Sequence, residues 1–244
     1  MRDHPEKESV RSLEHSRRRV SSDLLLDAAL ALIQRWGYKK TTMDDIAKQA
    51  GVAKKTLYLH WSTREALFET LLLREWLKTI QELRQRLSHD PAGATLSSVA
   101  KHVVAISASN PLFRAMLFQD REMLGDLTRS SAGQSAMPFR LELTNTYLGM
   151  LRKNSLLRTD SSTETQMKMI AAIFMGYLVI DQYLPPGMPF PPEEMAEALA
   201  QTLHRAVEPD EPFTLEAVEE VTRAFDHQLA QLADLLRPIY EQRI

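Results

Sequence analysis

The chain contains no cysteine, which excludes disulfides, cysteine-based zinc sites, iron–sulfur clusters and thiol catalysis, and fits a reducing compartment. It also has no phosphate-binding glycine loop, no His-Glu-x-x-His pair and no nucleophile elbow. The histidines (His4, His15, His60, His89, His102, His204 and His227) are scattered, and none pairs with another at metal-ligand spacing. The expectation is a protein that is not an enzyme, with no catalytic residue, metal or cofactor. The segment from Met1 to Ser22 is charged and lacks the apolar core of a signal peptide. The longest apolar stretch, Met169 to Ile180, falls far short of a membrane span. A cytoplasmic protein without a membrane partner is therefore expected. Alternating strand patterns of useful length are missing, and so are internal repeats.

What is present is helical periodicity. With 244 residues, 44% of them hydrophobic, the chain can bury a substantial core as one large domain or as two. Its net charge of −2 is unevenly divided: residues 1–64 carry +5 and residues 65–244 carry −7. A basic head suits a polyanion, and an acidic body stays off it. Residues 1–20, with the run Arg17-Arg18-Arg19 and almost no apolar side chains, read as a flexible charged arm. Arg19 could reach a minor groove as basic arms do, or remain a solvated tail.

Leu25, Ala28, Ala29, Leu32, Ile33 and Trp36 recur at three- and four-residue spacing, which predicts a buried helical face from Ser21 or Ser22 to Trp36, ended by Gly37. A short helix is expected over Met43 to Ala50, where Thr42 and Asp45 have the spacing of a partial capping box. Gly51-Val52 reads as a turn, and Lys54 to His60 as a second short helix with Leu57 inward. Ser62-x-x-Glu65 has the form of a full capping box and opens a helix long enough to join two domains. Further helices are expected at about 95–108, 111–125, 135–154, 163–184, 193–207 and 215–237. Proline clusters at 185–192 and 209–212 interrupt them. The fold class is all-α.

A helix, a short helix, a glycine turn and another short helix form the helix-turn-helix arrangement, whose second short helix enters the major groove. Lys54 and Lys55 suit phosphates or guanine edges, Thr56 offers a hydroxyl and a methyl, and Tyr58 and His60 can reach phosphates. Thr41 and Thr42 stand at a helix start, where hydroxyl and backbone N–H groups together suit a phosphate.

The stretch Gly37-Tyr38-x-x-Thr41-Thr42-Met43-x-x-Ile46-Ala47-x-x-Ala50-Gly51-Val52-Ala53-Lys54-Lys55-Thr56-Leu57-Tyr58-x-His60-Trp61-x-x-Arg64-Glu65-Ala66-Leu67 resembles the TetR family of bacterial transcriptional regulators. With the first helix it covers roughly a quarter of the chain. The resemblance implies a helix-turn-helix DNA-binding domain over 21–68, joined by a long helix to a larger effector-binding and dimerisation body over 69–244. By resemblance, Thr42 touches the DNA backbone and Lys54, Lys55 and Thr56 lie on the recognition helix. Tyr58 and His60 fall where phosphates or bases are met, and Lys48 and Arg64 are backbone or rim charges. Three positions depart from the family pattern. Ala53 replaces a Ser or Thr cap, Lys55 stands where glycine is common, and Trp61 replaces Phe as a larger aromatic plug.

The resemblance further implies a homodimer on a palindromic double-stranded operator, repressing until a small-molecule effector binds. For the dimer surface it favours the helices over 163–184 and 193–207, with Ile173, Gly176, Ile180, Leu199 and Leu203. The final helix, an extra C-terminal helix beyond the usual family endpoint, spaces Phe225, Leu229 and Leu232 within a near-heptad stripe. That stripe serves a dimer seam, a lid or packing on its own body equally well. Met and aromatic side chains in the middle helices suit a mainly apolar ligand or an ordinary core. The candidate ligand residues are His102, Phe113, Met116, Tyr147, Met150, Phe174, Tyr177 and Gln182. Two other classes stay open: a DNA-binding structural protein without sequence preference, and a helical enzyme with an appended DNA-binding head.

Overall fold

The computed structural model describes the backbone of residues 5–129, 131–180, 183–185, 187–188 and 190–244, and the side chains of these residues apart from 5–21, 129 and 131–140. Every regular element among them is helical: α1 Pro5–Lys40, α2 Met43–Ala50, α3 Lys54–His60, α4 Arg64–His89, α5 Leu96–Ser109, α6 Pro111–Phe118, α7 Arg121–Leu124, a 3-10 turn Gly125–Arg129, α8 Ser131–Lys153, α9 Thr163–Val179, α10 Pro192–Val207 and α11 Leu215–Glu241. The backbone is helical from Pro5, where the sequence suggested a flexible arm. The expected helix over 111–125 is broken in two. Gln119 turns with φ 51°, and Asp120 caps α7 by accepting from the N–H groups of Glu122 and Met123. No described helix is long and apolar enough to cross a membrane.

Two compact units share the chain. The first comprises residues 1–77, 115–134 and 235–244; the second comprises 78–114 and 135–234. Residues 115–134 and 235–244, expected in the body, therefore group with the head.

In the head unit, Gly37 (φ 74°, ψ 166°) ends the main run of α1. This backbone region is open to glycine and closed to most other residues. A Cβ there would also stand 2.8 Å from the Glu122 carbonyl oxygen, so α7 approaches where only glycine fits. Leu25, Leu26, Ile33, Ile46, Leu57, Leu67, Phe68 and Leu71 are fully buried and form the core that backs the short helices. Trp61 fills the expected place between α3 and α4, its indole N–H donating to Thr70 Oγ1 at 3.0 Å. The cap of α4 is Thr63, whose hydroxyl accepts from the Ala66 N–H at 3.0 Å. The capping pair is thus shifted one residue from the expected Ser62.

In the body unit, α10 packs along α5 and α9. Glu208, fully buried at the end of α10, accepts from the Ser97 N–H at 2.9 Å and the Ser97 hydroxyl at 3.0 Å, sealing the first turn of α5. The carboxylate meets the positive end of a helix, where a buried charge is most readily held. Helix α11 packs on the turn before α5. Gly93 (φ 54°) leaves no room for a side chain against Thr222, whose hydroxyl accepts from the Ala94 N–H at 2.9 Å. The Arg84 guanidinium forks onto Asp226 at 2.6 and 2.9 Å. Burial pushes the Asp90 carboxyl up, but hydrogen bonds from Ser98, the Ala92 N–H and His102 outweigh that and hold it below its ordinary value.

Candidate nucleic-acid interface

Helix α2 begins with the capping box that its sequence suggested. The Asp45 N–H donates to Thr42 Oγ1 at 3.2 Å, and the Thr42 N–H donates to Asp45 Oδ2 at 3.1 Å. The Thr42 hydroxyl also donates to Asp45 Oδ2 at 2.6 Å. These bonds hold the Asp45 carboxyl below its usual range. Gly51 closes α2 in the left-handed conformation, its N–H reaching the Ala47 and Lys48 carbonyls. Helix α3 follows after two residues. Its Ala53 cap makes no side-chain bond, as the departure from the family pattern implied.

Leu57 is fully buried and fixes which side of α3 faces the core. Lys54, Lys55, Tyr58 and Leu59 are exposed, whereas Thr56 and His60 are half-buried. At about 100° per residue, the four exposed side chains fall within one arc of about 140°, in the order Lys54, Tyr58, Lys55, Leu59. Lys48 is exposed on α2. Lys54 Nζ lies 2.8 Å from Asp44 Oδ2, and this partner pushes the ammonium above its ordinary value.

Leu59, for which no role was expected, is 68% exposed, more than any other large apolar side chain among the described residues of the head. The signal was its place one turn beyond Lys55 on the outward arc. Two expected contacts are corrected. Thr41 is fully buried and its hydroxyl donates to the Gly37 carbonyl at 2.9 Å, so it secures the turn before α2 and offers nothing to a phosphate. Arg64 is an internal strap instead of a rim charge. It donates to the carbonyls of Tyr38 and Thr41 at 3.3 and 3.0 Å, and its guanidinium lies 4.1 Å from the centre of the Tyr38 ring. Burial pushes the Tyr38 hydroxyl pKa up, against the pull of Arg64. The side chain of Arg19 lies outside the described residues.

Among the described candidate ligand residues, the polar groups of His102, Tyr147 and Tyr177 are already engaged. His102 Nε2 is 2.8 Å from Asp90 Oδ2, the buried Tyr147 hydroxyl donates to the Ala94 carbonyl at 3.0 Å, and the Tyr177 hydroxyl is 2.8 Å from Thr202 Oγ1. The Tyr147 ring stacks on Phe225 at 4.3 Å. Phe113 and Met116 are buried, Met150 and Phe174 are half-buried, and Gln182 lies outside the described residues. For the dimer surface, Leu199, Leu203, Phe225, Leu229 and Leu232 are buried within the subunit, because α10 packs on α5 and α11 lies against the Ala94 turn. They are core, which corrects their assignment to a partner. Ile173 and Ile180 are half-buried, and Gly176 is exposed with open space around it. Among the described residues no group of three or more His, Asp or Glu is placed to hold a metal ion.

Residues 25–71 match the family described as bacterial regulatory proteins, tetR family. The chain is 22% identical over 198 residues to the probable acrEF/envCD operon repressor of Escherichia coli K12, covering 78% of this chain and 88% of that protein. It is 42% identical over 62 residues to the uncharacterized HTH-type transcriptional regulator YhgD of Bacillus subtilis, covering 24% of this chain and 32% of that one. The fold is similar to that of the fatty acid degradation regulator FadR from Bacillus halodurans, with a TM-score of 0.57, 18% identity, and 76% of this chain and 93% of that one covered. With the helix-turn-helix head built as described, residues 25–71 form a DNA-binding head of the kind found in the tetR family of bacterial regulatory proteins.

Proposed function

We propose that this DNA-binding regulator is a repressor that reads a palindromic operator as a homodimer and is released by a mainly apolar small molecule. The observation that carries the reading is the outward arc of α3, held from behind by the fully buried Leu57. Lys55 and Tyr58 supply donors for guanine edges and phosphates, and Leu59 supplies an apolar surface for a thymine methyl. Lys48 and Thr42 meet the backbone, with His60 at the edge of the same surface, and Lys54 joins them when it exchanges Asp44 for a phosphate. The likeness to a probable operon repressor over most of its length favours repression over activation.

Two half-sites one helical turn apart require two heads held at a fixed separation, and a two-fold dimer supplies that. The face that suits a second copy is on α9, where Met169, Ala172, Met175 and Gly176 are exposed. The small residues let a partner helix come close, and Ile173 and Ile180 border them. An apolar effector fits a body in which the polar candidates His102, Tyr147 and Tyr177 are already paired, with Met150 and Phe174 the half-buried apolar candidates and Gln182 a further, polar one. Release follows if the ligand favours a conformation in which the heads no longer match successive grooves.

Selection from a random duplex pool, followed by anisotropy titration at physiological salt, tests this reading. A repressor enriches a palindrome and binds it at least about 1,000-fold more tightly than random duplex. Equal affinity for both would establish a DNA-binding protein without sequence preference.

A further inference from the structure

Helix α11 runs unbroken from Leu215 to Glu241, but its last turns and the residues after them group with the head. Tyr240 is buried there, and its hydroxyl donates to Asp23 Oδ1 of α1 at 3.0 Å. Three residues on, Arg243 Nη1 lies 2.8 Å from Glu69 Oε2 of α4, whose side chain is largely buried. Ile244 is buried as well. The segment therefore holds two long helices of the head, bonding to α1 through Tyr240 and to α4 through Arg243.

Asp23 also belongs to a charge cluster centred on Arg74 of α4, which is only 5% exposed. Arg74 Nη1 lies 2.8 Å from Asp27 Oδ1 and donates to the Asp23 carbonyl at 3.2 Å, while Nε lies 3.2 Å from Glu75 Oε1. A buried guanidinium contributes stability only while its partners keep their geometry. By fixing Asp23, Tyr240 fixes one wall of that cluster. The earlier turns of α11 are secured in the body by the Arg84–Asp226 fork, the Thr222–Ala94 bond and the Phe225–Tyr147 stack. One continuous helix is thus anchored in each unit, as α4 is.

We propose that residues 235–244 form a latch that fastens α1 to α4 within the head, so that the DNA-reading geometry depends on α11 as well as on the connector α4. The inference rests on the reading of the head as an operator reader. Undoing the latch loosens α1 against α4 without unfolding the body, and α3, packed on that core, loses its fixed presentation. A change in the body that pulls on α11 then has a second route to the head besides α4.

The test uses the full chain carrying Tyr240→Phe and Arg243→Ala, which keeps the aromatic ring and its packing. Hydrogen exchange should speed up by about ten-fold in peptides covering residues 22–36 and 64–77 and stay unchanged in 96–109. Affinity for a duplex that the unmodified protein selects from a random pool should weaken by about three-fold or more. Unchanged exchange in the head overturns the latch, as does equal acceleration in 96–109, which marks a general loss of stability. Unchanged affinity with a loosened head overturns its link to DNA reading. If selection enriches no duplex, the operator reading fails, and the exchange comparison still decides whether the segment holds α1 to α4.

Discussion

On α3, Lys55, Tyr58 and Leu59 stand out from a helix whose first turn has no side-chain cap. On α5, Thr95 caps the first turn, the buried Glu208 seals it further, and His102 ends on Asp90. The head thus spends its buried residues on presenting side chains outward, whereas around α5 the body closes polar groups on one another. A surface that reads DNA must keep donors free for bases and phosphates. A body with no bases to read has no such need and gains rigidity where it pairs its own polar atoms.

The sharpest way to test this division is to damage each core in turn. Leu57→Ala in the head and Phe225→Ala in the body each remove a buried side chain and should cost about 2–5 kcal/mol. In chemical denaturation both lower stability. The head variant should lose duplex binding while keeping the oligomeric state of the unmodified protein. The body variant should keep both duplex binding and the oligomeric state at temperatures where it remains folded. Identical losses in both would erase the distinction.

Gly37→Ala comes next. It forces an alanine into positive φ and against the Glu122 carbonyl, at an expected cost of about 1–3 kcal/mol. Thermal denaturation should show the loss, with faster exchange confined to α1, α2 and α7. A smaller effect of opposite sign is expected from Ala53→Ser, which supplies the missing cap of α3 and should stabilise the head by about 0.5–2 kcal/mol. Unchanged exchange in α3 would mean that another group already satisfies that end.

The smallest effect concerns acid. Hydrogen bonds from Arg84 hold the Asp226 carboxyl below its ordinary value. A carboxylate lowered on folding contributes stability above its unfolded pKa and loses it as pH falls through the folded value. Unfolding measured from pH 6 down to about pH 3 should therefore show a shallower acid-side decline in Asp226→Asn than in the unmodified protein. The pair is partly exposed, so the difference at neutral pH should stay within about 1 kcal/mol. An unchanged acid slope would assign the decline to other carboxylates, Asp90 among them.

The division between head and body also governs how much could be read in advance. The head is written in short-range code: Thr42 with Asp45, Gly51 after α2, and Leu57 between outward neighbours are all local patterns, and each lies where the sequence placed it. The errors there have tertiary causes. Thr41 and Arg64 look like surface groups in sequence, but the turn around Tyr38 folds over the one and recruits the other. In the body the decisive contacts join residues far apart, such as Tyr147 with Ala94 and Phe225, and no periodicity announces them. The heptad-like stripe of α11 was readable, but its partner was not: Phe225, Leu229 and Leu232 face the subunit's own core. The break after Phe118 did carry a signal, Asp120 in capping position within the polar run Gln119-Asp120-Arg121-Glu122.

The central claim is that the outward arc of α3 reads sequence, and selection with Lys55→Ala/Leu59→Ala tests it most directly. Both side chains are exposed, so the fold should be kept. Each lost base contact removes about 1–3 kcal/mol of discrimination, so the preference for the selected palindrome over random duplex should fall by about ten-fold or more. Affinity for random duplex should fall much less, and the salt slope should drop by about one phosphate contact at most. A double variant that stays folded and keeps the full preference for the same palindrome would contradict the account.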